Sequence, residues 1–472
     1  MGEINRKILM KYNEYKNKKV LIAGLGLYMK GSGISAARFF ARQGAIVTVT
    51  DIKSRNELKE SIKELKGLKI KYVLGKHRVN DFKNADIVIK NPGMRRNSPY
   101  LHAAKKAGVR IESDITIFFK HCPAKIIGIT GTRGKSTTSA LLAEILEKKN
   151  KTYLGGNIKV SPLNFLGRVK EGDWVVVELS SWMLEDLNRV KMSPHIAVVT
   201  NVMRDHLNTY PSMKSYSEAK AMIFKYQSKD DYVILNRDNK ITREFGKRVP
   251  SQRFWFSLKE FKEENGSMIK GQGMIFRCEG KVWNVANKKD VALPGEHNLS
   301  NALAVMTVAK ILRVACAKVR TGFREFKGLD SRQQFIRTLR GIKFFNDTTA
   351  TTPDAGIVAL RTLGVGKNII LIAGGADKKL IYNDWAKSVK KYCKGVVLLE
   401  GVATKKIIKE LKKNKTDFIG PVNSMKKAVN EAVKLADKGD IVLLSPAAAS
   451  FGLFKNEFDR GDQYIAAVRK IS

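Results

Sequence analysis

Cysteine is scarce in this sequence. Cys122, Cys278, Cys316 and Cys393 are the whole complement of 472 residues, and no two form a C-x-x-C pair. That excludes a disulfide framework and a cysteine-built zinc site, and it fits reduced thiols in a cytosol. Long apolar runs are absent too, none reaching the roughly 20 residues that a membrane-spanning helix needs. The opening MGEINRKILMKYNEYKNKK is charged and lacks an apolar signal core or small-residue cleavage site, so a cytoplasmic location is expected. Low-complexity tracts and repeats at solenoid spacing are missing. So are RNA-recognition and helix-turn-helix patterns and any basic stretch interleaved with aromatics. The last shortage is of acid: 44 Asp and Glu stand against 87 Lys and Arg, a net charge of +43. Such a balance favours anionic partners. The basic residues are spread along the chain among helix-period apolar ones, which reads as a solvated basic surface. An electrostatic funnel for anionic substrates or RNA is the alternative.

What is present is a long α/β chain. Its length calls for about two to four domains, and three sections emerge. From Lys19 onward, VLIAG, AIVTVTD, IKYVL and ADIVIKNPG alternate with helical stretches such as SGISAARFFARQG and a polar helix near 56–66. Alternation with short connections predicts a parallel sheet covered by helices. A second section begins near Asp114 and contains WVVVELSS, HIAVVTNV and DYVILN, continuous apolar runs suited to strands buried on both faces. Residues 251–292 alternate more finely and read as a small β excursion. From Gly328-Leu329 the α/β style returns with NIILIAGG, GVVLLEG and DIVLLSP, ending in a polar helix. The expected domains are 1–113, 114–328 and 329–472.

Two glycine-bearing turns carry candidate chemistry. Gly24-Leu25-Gly26 follows a strand and Asp51 ends the next, as in a dinucleotide-binding fold. The third glycine of G-x-G-x-x-G would fall at Met29, so a nucleotide sugar across the strand ends fits better than a nicotinamide cofactor. The second turn is GITGTRGKSTT. It follows the strand of Lys125–Thr130 and opens a helix, with the spacing G-x-x-G-x-x-G-K-S. Glycines let backbone N–H groups close around an anion, and the helix N-terminus adds its dipole. Lys135 can reach terminal phosphates, and the Ser136 hydroxyl can ligate Mg²⁺. Glu178 closes the strand WVVVE, where a carboxylate suits Mg²⁺. His206 alone reads as a loop histidine, and Lys220 alone as a solvated cation.

Taken in order, TGTRGKST, VVELSSWMLEDL, NVMRDHLNTY followed by SEAKAMIF, GEHNLSNALAV, NDTTATTPDA and LLSPAAASFGLFKNEFDRG resemble the blocks of the Mur ligases. The resemblance covers about residues 19–465. It implies a Rossmann-like N-terminal domain for a uridine nucleotide and a central P-loop ATPase-type parallel sheet. A C-terminal Rossmann-like domain would close over ATP and bind the amino acid. The last blocks look like the branch that joins D-glutamate to UDP-N-acetylmuramoyl-L-alanine through an acyl phosphate. The substrates implied are those two and ATP, with two Mg²⁺ sites, and the chain is expected to be a monomer without specific nucleic acid.

By resemblance, Gly131, Thr132, Arg133, Gly134, Lys135, Ser136 and Thr137 hold the ATP phosphates. Ser136 and Glu178 hold one Mg²⁺, His206 lies by the second, and Lys220 is the position carbamylated in the family. Asn298 and Asn301 match the adenine side, and Arg332 and Asp347 match γ-phosphate and ribose contacts. Asp51, Asn91, Gly93, Asn157 and Ser180 match the nucleotide-sugar residues; Thr351, Lys378 and Ser450 match the amino-acid contacts. Singly, each of these polar residues also reads as a loop cap or turn. The chain departs from the pattern at Arg133 (usually Asn), Lys159 (a glycine), Met183 (commonly Gln) and Thr349 (Lys in some relatives). Its first loop, LYMKGSG, is also longer. A Mur-like ligase with another amino acid or acceptor, and a basic nucleic-acid-binding ATPase, remain the competing readings.

Overall fold

The computed structural model describes residues 12–158, 160–205, 209–377 and 380–471. Among them the chain forms three sheets, distributed over two compact units. One unit is Met1–Val291 with Glu296–Phe326, and the other is Ala292–Gly295 with Lys327–Ser472.

The first sheet contains β1 (Lys19–Ala23), β2 (Ile46–Asp51), β3 (Ile70–Leu74), β4 (Ile87–Lys90) and β5 (Arg110–Glu112), in the order β3-β2-β1-β4-β5. All four pairings are parallel. The helix Ser32–Arg42 buries Ile34, Ala36, Ala37, Phe39 and Phe40, giving the sheet one apolar cover. The order reverses between β1 and β4, and such a switch point opens a crevice at the strand C-termini. Asp51, Asn91 and Gly93 all lie at that end. The sequence reading misses the helices Val79–Lys83 and Pro99–Lys106 and the three-residue β5. Its polar helix near 56–66 is helical only at Lys59–Lys63.

The same unit holds a second sheet: β6 (Lys125–Thr130), β7 (Thr152–Gly156), β8 (Trp174–Glu178), β9 (Ile196–Val199), β10 (Tyr232–Asn236), β11 (Gln252–Ser257), β12 (Gly266–Lys270), β13 (Gly273–Cys278) and β14 (Lys281–Asn287). The order is β14-β13-β12-β11-β10-β9-β6-β8-β7. β6 sits between β8 and β9, parallel to both, so the chain leaves its tip at another switch point. β6, β8 and β9 are buried almost throughout, as their unbroken apolar runs require. The expected β excursion is present, but it is no separate sheet: β11 and β12 continue the parallel pairing, and β13 and β14 add antiparallel strands at the edge.

The second unit has β15 (Gln334–Leu339), β16 (Ile342–Asn346), β17 (Ile369–Ala373), β18 (Cys393–Leu399), β19 (Ile419–Val422) and β20 (Ile441–Leu444), ordered β15-β16-β20-β17-β18-β19. Only β15 is antiparallel to its neighbour. Loops after β17 and β20 meet at the switch point, where Gly374 N donates to Pro446 O at 2.9 Å and Ala376 N to Ala449 O at 2.8 Å. No helix among the described residues is long and apolar enough to cross a membrane.

Candidate active site

β6 ends at Thr130, and the chain turns through Gly131–Gly134 into the helix Lys135–Glu147. Gly131 and Gly134 have φ of 149° and 84°, where side chains are disfavoured. A Cβ on Gly131 would stand 1.9 Å from the Thr200 hydroxyl oxygen, and one on Gly134 would stand 2.4 Å from Asn301 Oδ1. Glycine is therefore what lets the loop after β9 and the helix Glu296–Ile311 press against the turn. The loop after β9 then staples it. Thr132 N donates to Asn201 O (2.9 Å), Arg133 N to Asn201 Oδ1 (2.9 Å), and Arg133 O accepts from Thr200 Oγ1 at 2.6 Å. Asn301 Nδ2 donates to Asn298 Oδ1 at 3.4 Å, so the two predicted adenine-side residues pair beside the turn.

Two lysines converge on one carbonyl. Lys135 Nζ donates to Gly131 O at 3.1 Å and Thr132 O at 3.2 Å, and Lys220 Nζ donates to Gly131 O at 2.9 Å. Lys220 is only 2% exposed and lies over the Tyr216 ring, 4.8 Å from its centroid. Burial, then the neighbouring Lys135 charge, hold its amine well below the usual lysine range against the opposing pull of Asp205 and Glu178. The reading of Lys220 as a solvated cation, taken from its position alone, is thus wrong. Its helix is short and polar in mean character, but Lys220 projects from the face that packs inward.

Glu178 pairs opposite Ile129, one strand from the turn, and is 1% exposed. Its Oε1 accepts from Asn157 Nδ2 at 2.9 Å, while Oε2 is buried without a hydrogen-bond partner. A buried carboxylate oxygen left unpaired is costly. A divalent cation there would satisfy it, and the Ser136 hydroxyl on the first turn of the adjoining helix supplies a second oxygen of the kind Mg²⁺ takes. The residues present fit Mg²⁺. Among the described residues no three His, Cys, Asp or Glu side chains gather into a metal cage of their own. His206 and Lys378, and the departure at Lys159, lie outside the described residues.

At the first sheet, Asp51 Oδ2 accepts from Leu25 N (2.8 Å) and Gly26 N (3.4 Å), and Oδ1 accepts from Lys53 N (2.9 Å). Asn91 donates to Gly24 O at 3.3 Å and accepts from Gly93 N at 3.0 Å. These residues shape the crevice between β1 and β4. Ser180 is the N-cap of the helix Ser181–Arg189, its hydroxyl accepting from Met183 N at 3.3 Å. The cap reading of Ser180 therefore holds in this structure.

The second unit gathers Asp347, Ser445 and Ser450 at its own switch point, all of them buried. Asp347 accepts from Gln333 N (3.1 Å) and Ser445 Oγ (2.9 Å), and burial pushes its carboxyl up to about 7. Thr351 and Arg332 lie on neighbouring loops of the same unit, Arg332 N donating to Leu329 O.

Sequence reasoning missed several supporting groups. Asp205 lies 3.9 Å from Arg133 and raises the Lys220 amine's proton affinity; its place directly before His206 was the available signal. Tyr216 is four residues before Lys220 on one helix, a spacing that brings side chains together. Arg460 is fully buried, with Nε donating to Thr348 Oγ1 (3.0 Å), Nη2 to Thr348 O (2.8 Å) and Nη1 to Ala448 O (3.2 Å). Arg460 and Ala448 lie within the block LLSPAAASFGLFKNEFDRG, which was the available signal, but nothing local announces Thr348, 112 residues away.

A glycine turn with two lysines, a buried strand-end carboxylate and a serine hydroxyl can hold a nucleotide triphosphate and its metal. Comparison with known proteins gives this class its family. The Mur ligase MurD-like N-terminal domain matches residues 18–113, the Mur ligase middle domain matches 129–309, and the Mur ligase glutamate ligase domain matches 331–448. The chain is 40% identical over 468 residues to the UDP-N-acetylmuramoylalanine--D-glutamate ligase of Roseiflexus sp. (strain RS-1), covering 96% of this chain and 99% of the relative. It is 36% identical over 477 residues to the same-named protein of Acetivibrio thermocellus, covering 99% and 100%. A solved UDP-N-acetylmuramate-alanine ligase from Thermotoga maritima shares the fold, with a TM-score of 0.62, 21% identity and coverage of 96% and 99%. This chain belongs to the Mur ligase family.

Proposed function

We propose that this protein joins the carboxylate of UDP-N-acetylmuramoyl-L-alanine to the amine of D-glutamate, cleaving ATP to ADP and phosphate, in peptidoglycan precursor synthesis. The observation that carries the reading is the buried Lys220 amine on the carbonyl of Gly131, beside Lys135 and the unpaired oxygen of Glu178. A phosphate-binding loop alone would serve any ATPase, whereas this added pair suits transfer of a phosphoryl group to another anion. The full-length likeness to two D-glutamate ligases supports the choice of substrates.

A free carboxylate has no competent leaving group. Phosphorylation by ATP makes an acyl phosphate, which the amine attacks through a tetrahedral intermediate that expels phosphate. The reactants are anions, so fixed positive charge must meet them. Lys135 and the amides of Gly131–Thr137 hold the phosphates, and Asn298 and Asn301 flank the adenine. Mg²⁺ held by Ser136 and Glu178, with His206 near a second ion, would neutralise phosphate charge. A depressed lysine pKa favours the neutral Lys220 amine, the form that adds CO₂ and then gives up a nitrogen proton; the resulting carbamate would present an anion towards the metal side. Asp51, Asn91, Gly93, Asn157 and Ser180 serve the nucleotide sugar. Arg332 and Asp347 serve the ATP γ-phosphate and ribose, and Thr351, Lys378 and Ser450 serve D-glutamate. On this reading the domains are 1–113, 114–328 and 329–472, and the enzyme works as a cytoplasmic monomer.

The test offers UDP-N-acetylmuramoyl-L-alanine and ATP with D-Glu, L-Glu, D-Asp, L-Lys or meso-diaminopimelate, and follows products by mass spectrometry. Product with D-Glu alone is expected. Preference for L-Lys or meso-diaminopimelate would overturn the amino acid and leave the ligase class. ATP hydrolysis stimulated by RNA and by no amino acid would overturn both.

A further inference from the structure

The end of β4 carries a charge that the reaction does not call for. Lys90 immediately precedes Asn91, and its Nζ lies 2.9 Å from Asp186 Oδ2, with the two side chains 3% and 6% exposed. Six residues on, Arg96 lies 2.6 Å from Glu185 Oε1 and donates to Trp182 O at 3.0 Å. Both acids belong to the helix Ser181–Arg189, which starts directly after Ser180. Glu185 Oε2 also accepts from Tyr210 OH at 2.8 Å. Tyr210 stands just beyond the segment holding Asp205, and its ring centroid is 5.3 Å from that of Tyr216, over which the Lys220 amine lies. Continuous contact thus runs from the acceptor crevice of the first sheet, through Asp186 and Glu185, to the lysine beside the phosphate loop.

A buried ion pair is a poor stabiliser, because desolvating both charges offsets most of their attraction and apolar replacements often do as well. What such a pair does supply is registry: it has one low-energy geometry, and misalignment leaves charge uncompensated. Here it fixes β4 and its following loop against the helix whose cap is Ser180. Resting on the function proposed above, we propose that Lys90–Asp186, extended by Arg96–Glu185–Tyr210, is a positioning network that sets the acceptor carboxylate against the phosphate loop. None of these residues touches a reacting atom; each acts through the backbone and side chains it aligns.

The experiment uses full-length protein, first establishing acceptor-dependent ADP release by the parent with UDP-N-acetylmuramoyl-L-alanine and D-glutamate. Without that activity the functional reading fails, and this proposal falls with it. Lys90→Met, Asp186→Leu, the double variant and Tyr210→Phe are then compared by KM for the acceptor, KM for ATP, kcat and thermal midpoint. Misplacement of reactants by about 1 Å can cost on the order of 100-fold, so each charge variant should raise acceptor KM or lower kcat by about 10- to 100-fold. The KM for ATP should stay within about twofold of the parent in every variant, the network being on the acceptor side. The double variant restores apolar balance and should recover the parent's melting temperature while keeping the kinetic defect. Full kinetic recovery in the double would show that the pair only supports folding, and would overturn the proposal. Should the single charge variants not fold, the double and Tyr210→Phe still decide. Tyr210→Phe should lower kcat with little change in melting; unchanged kcat and acceptor KM in both would also overturn it.

Discussion

Two glycine-bearing turns leave central strands of the first unit, Gly24–Gly33 after β1 and Gly131–Gly134 after β6, and they treat charge in opposite ways. The first is tied to a carboxylate: Asp51 accepts from the amides of Leu25 and Gly26. The second is tied by a neutral amide, Asn201, and draws in Lys135 and Lys220. Each turn lies at a switch point, so topology supplies a crevice in both cases and charge decides what enters it. An acid at a strand tip suits hydroxyl donors such as those of ribose and opposes phosphate at that spot. The Lys135 cation on a glycine turn with a helix N-terminus behind it suits a triphosphate, and the lowered proton affinity of Lys220 leaves that amine to other chemistry.

The sharpest way to break that contrast is at the cationic turn. Lys135→Ala should keep the fold and lose acceptor-dependent phosphate release by roughly 10³-fold or more, because fixed charge at a transferring phosphoryl group is a main catalytic factor. Near-parent turnover in a folded Lys135→Ala variant would mean that the turn is not the reaction centre. Lys220→Ala should be equally inactive, and a small added carboxylate should restore part of the rate by filling the space with an anion. Lys220→Arg keeps a cation but cannot form a carbamate, so it should fail as badly; a working Lys220→Arg would remove the carbamate from the scheme.

The acidic turn should respond more mildly. Asp51→Asn keeps an acceptor but removes the charge from its hydrogen bonds, a loss of about 1.5–3 kcal/mol. KM for the nucleotide sugar should rise roughly 10- to 150-fold with KM for ATP little changed. Equal shifts in both constants would dissolve the division of labour between the turns.

A third strand-end acid, Asp347 after β16, sharpens the comparison because it is not charged at low pH in the folded chain. Its carboxyl is raised from 3.8 to about 7 by burial, so between those values the folded protein keeps a proton that the unfolded chain releases. Stability therefore falls as pH rises through that window and is lowest above it. Asp347→Asn stays neutral throughout. In thermal melts without nucleotide it should exceed the parent by a few degrees or more at pH 8 and gain nothing near pH 4. A gain of equal size at both pH values would assign the effect to packing.

The parallel strands and the phosphate loop were legible because their signals are local: unbroken apolar runs, and glycines followed by Lys-Ser. The hairpin of β15 and β16 and the edge strand β19 were not, since β15 and β19 are only partly buried and β16 alternates buried with less buried residues, so none gives such a run. Lys135, Glu178 and Asn301 could be named from ordered motifs. The lowered proton affinity of Lys220 could not, because it arises from burial and from the neighbouring Lys135 charge, which only the folded chain brings together. Lys90–Asp186 was invisible for the same reason: a lysine ending a strand and an aspartate within a polar helix each look solvated until the sheet meets the helix.

Arg460 has a consequence for how the proposed amino-acid pocket can change over time. One guanidinium grips Thr348 and Ala448, the neighbours of Thr351 and Ser450, from a helix that carries neither. The two loops are thereby held as one piece. A substitution on either side that shifts its backbone leaves a buried cation unpaired, and should destabilise the unit before it changes any preference. Exchange of the pocket between relatives should succeed when 346–352, 445–451 and the helix bearing Arg460 travel together, and the pocket's history should read as block replacement in place of stepwise drift.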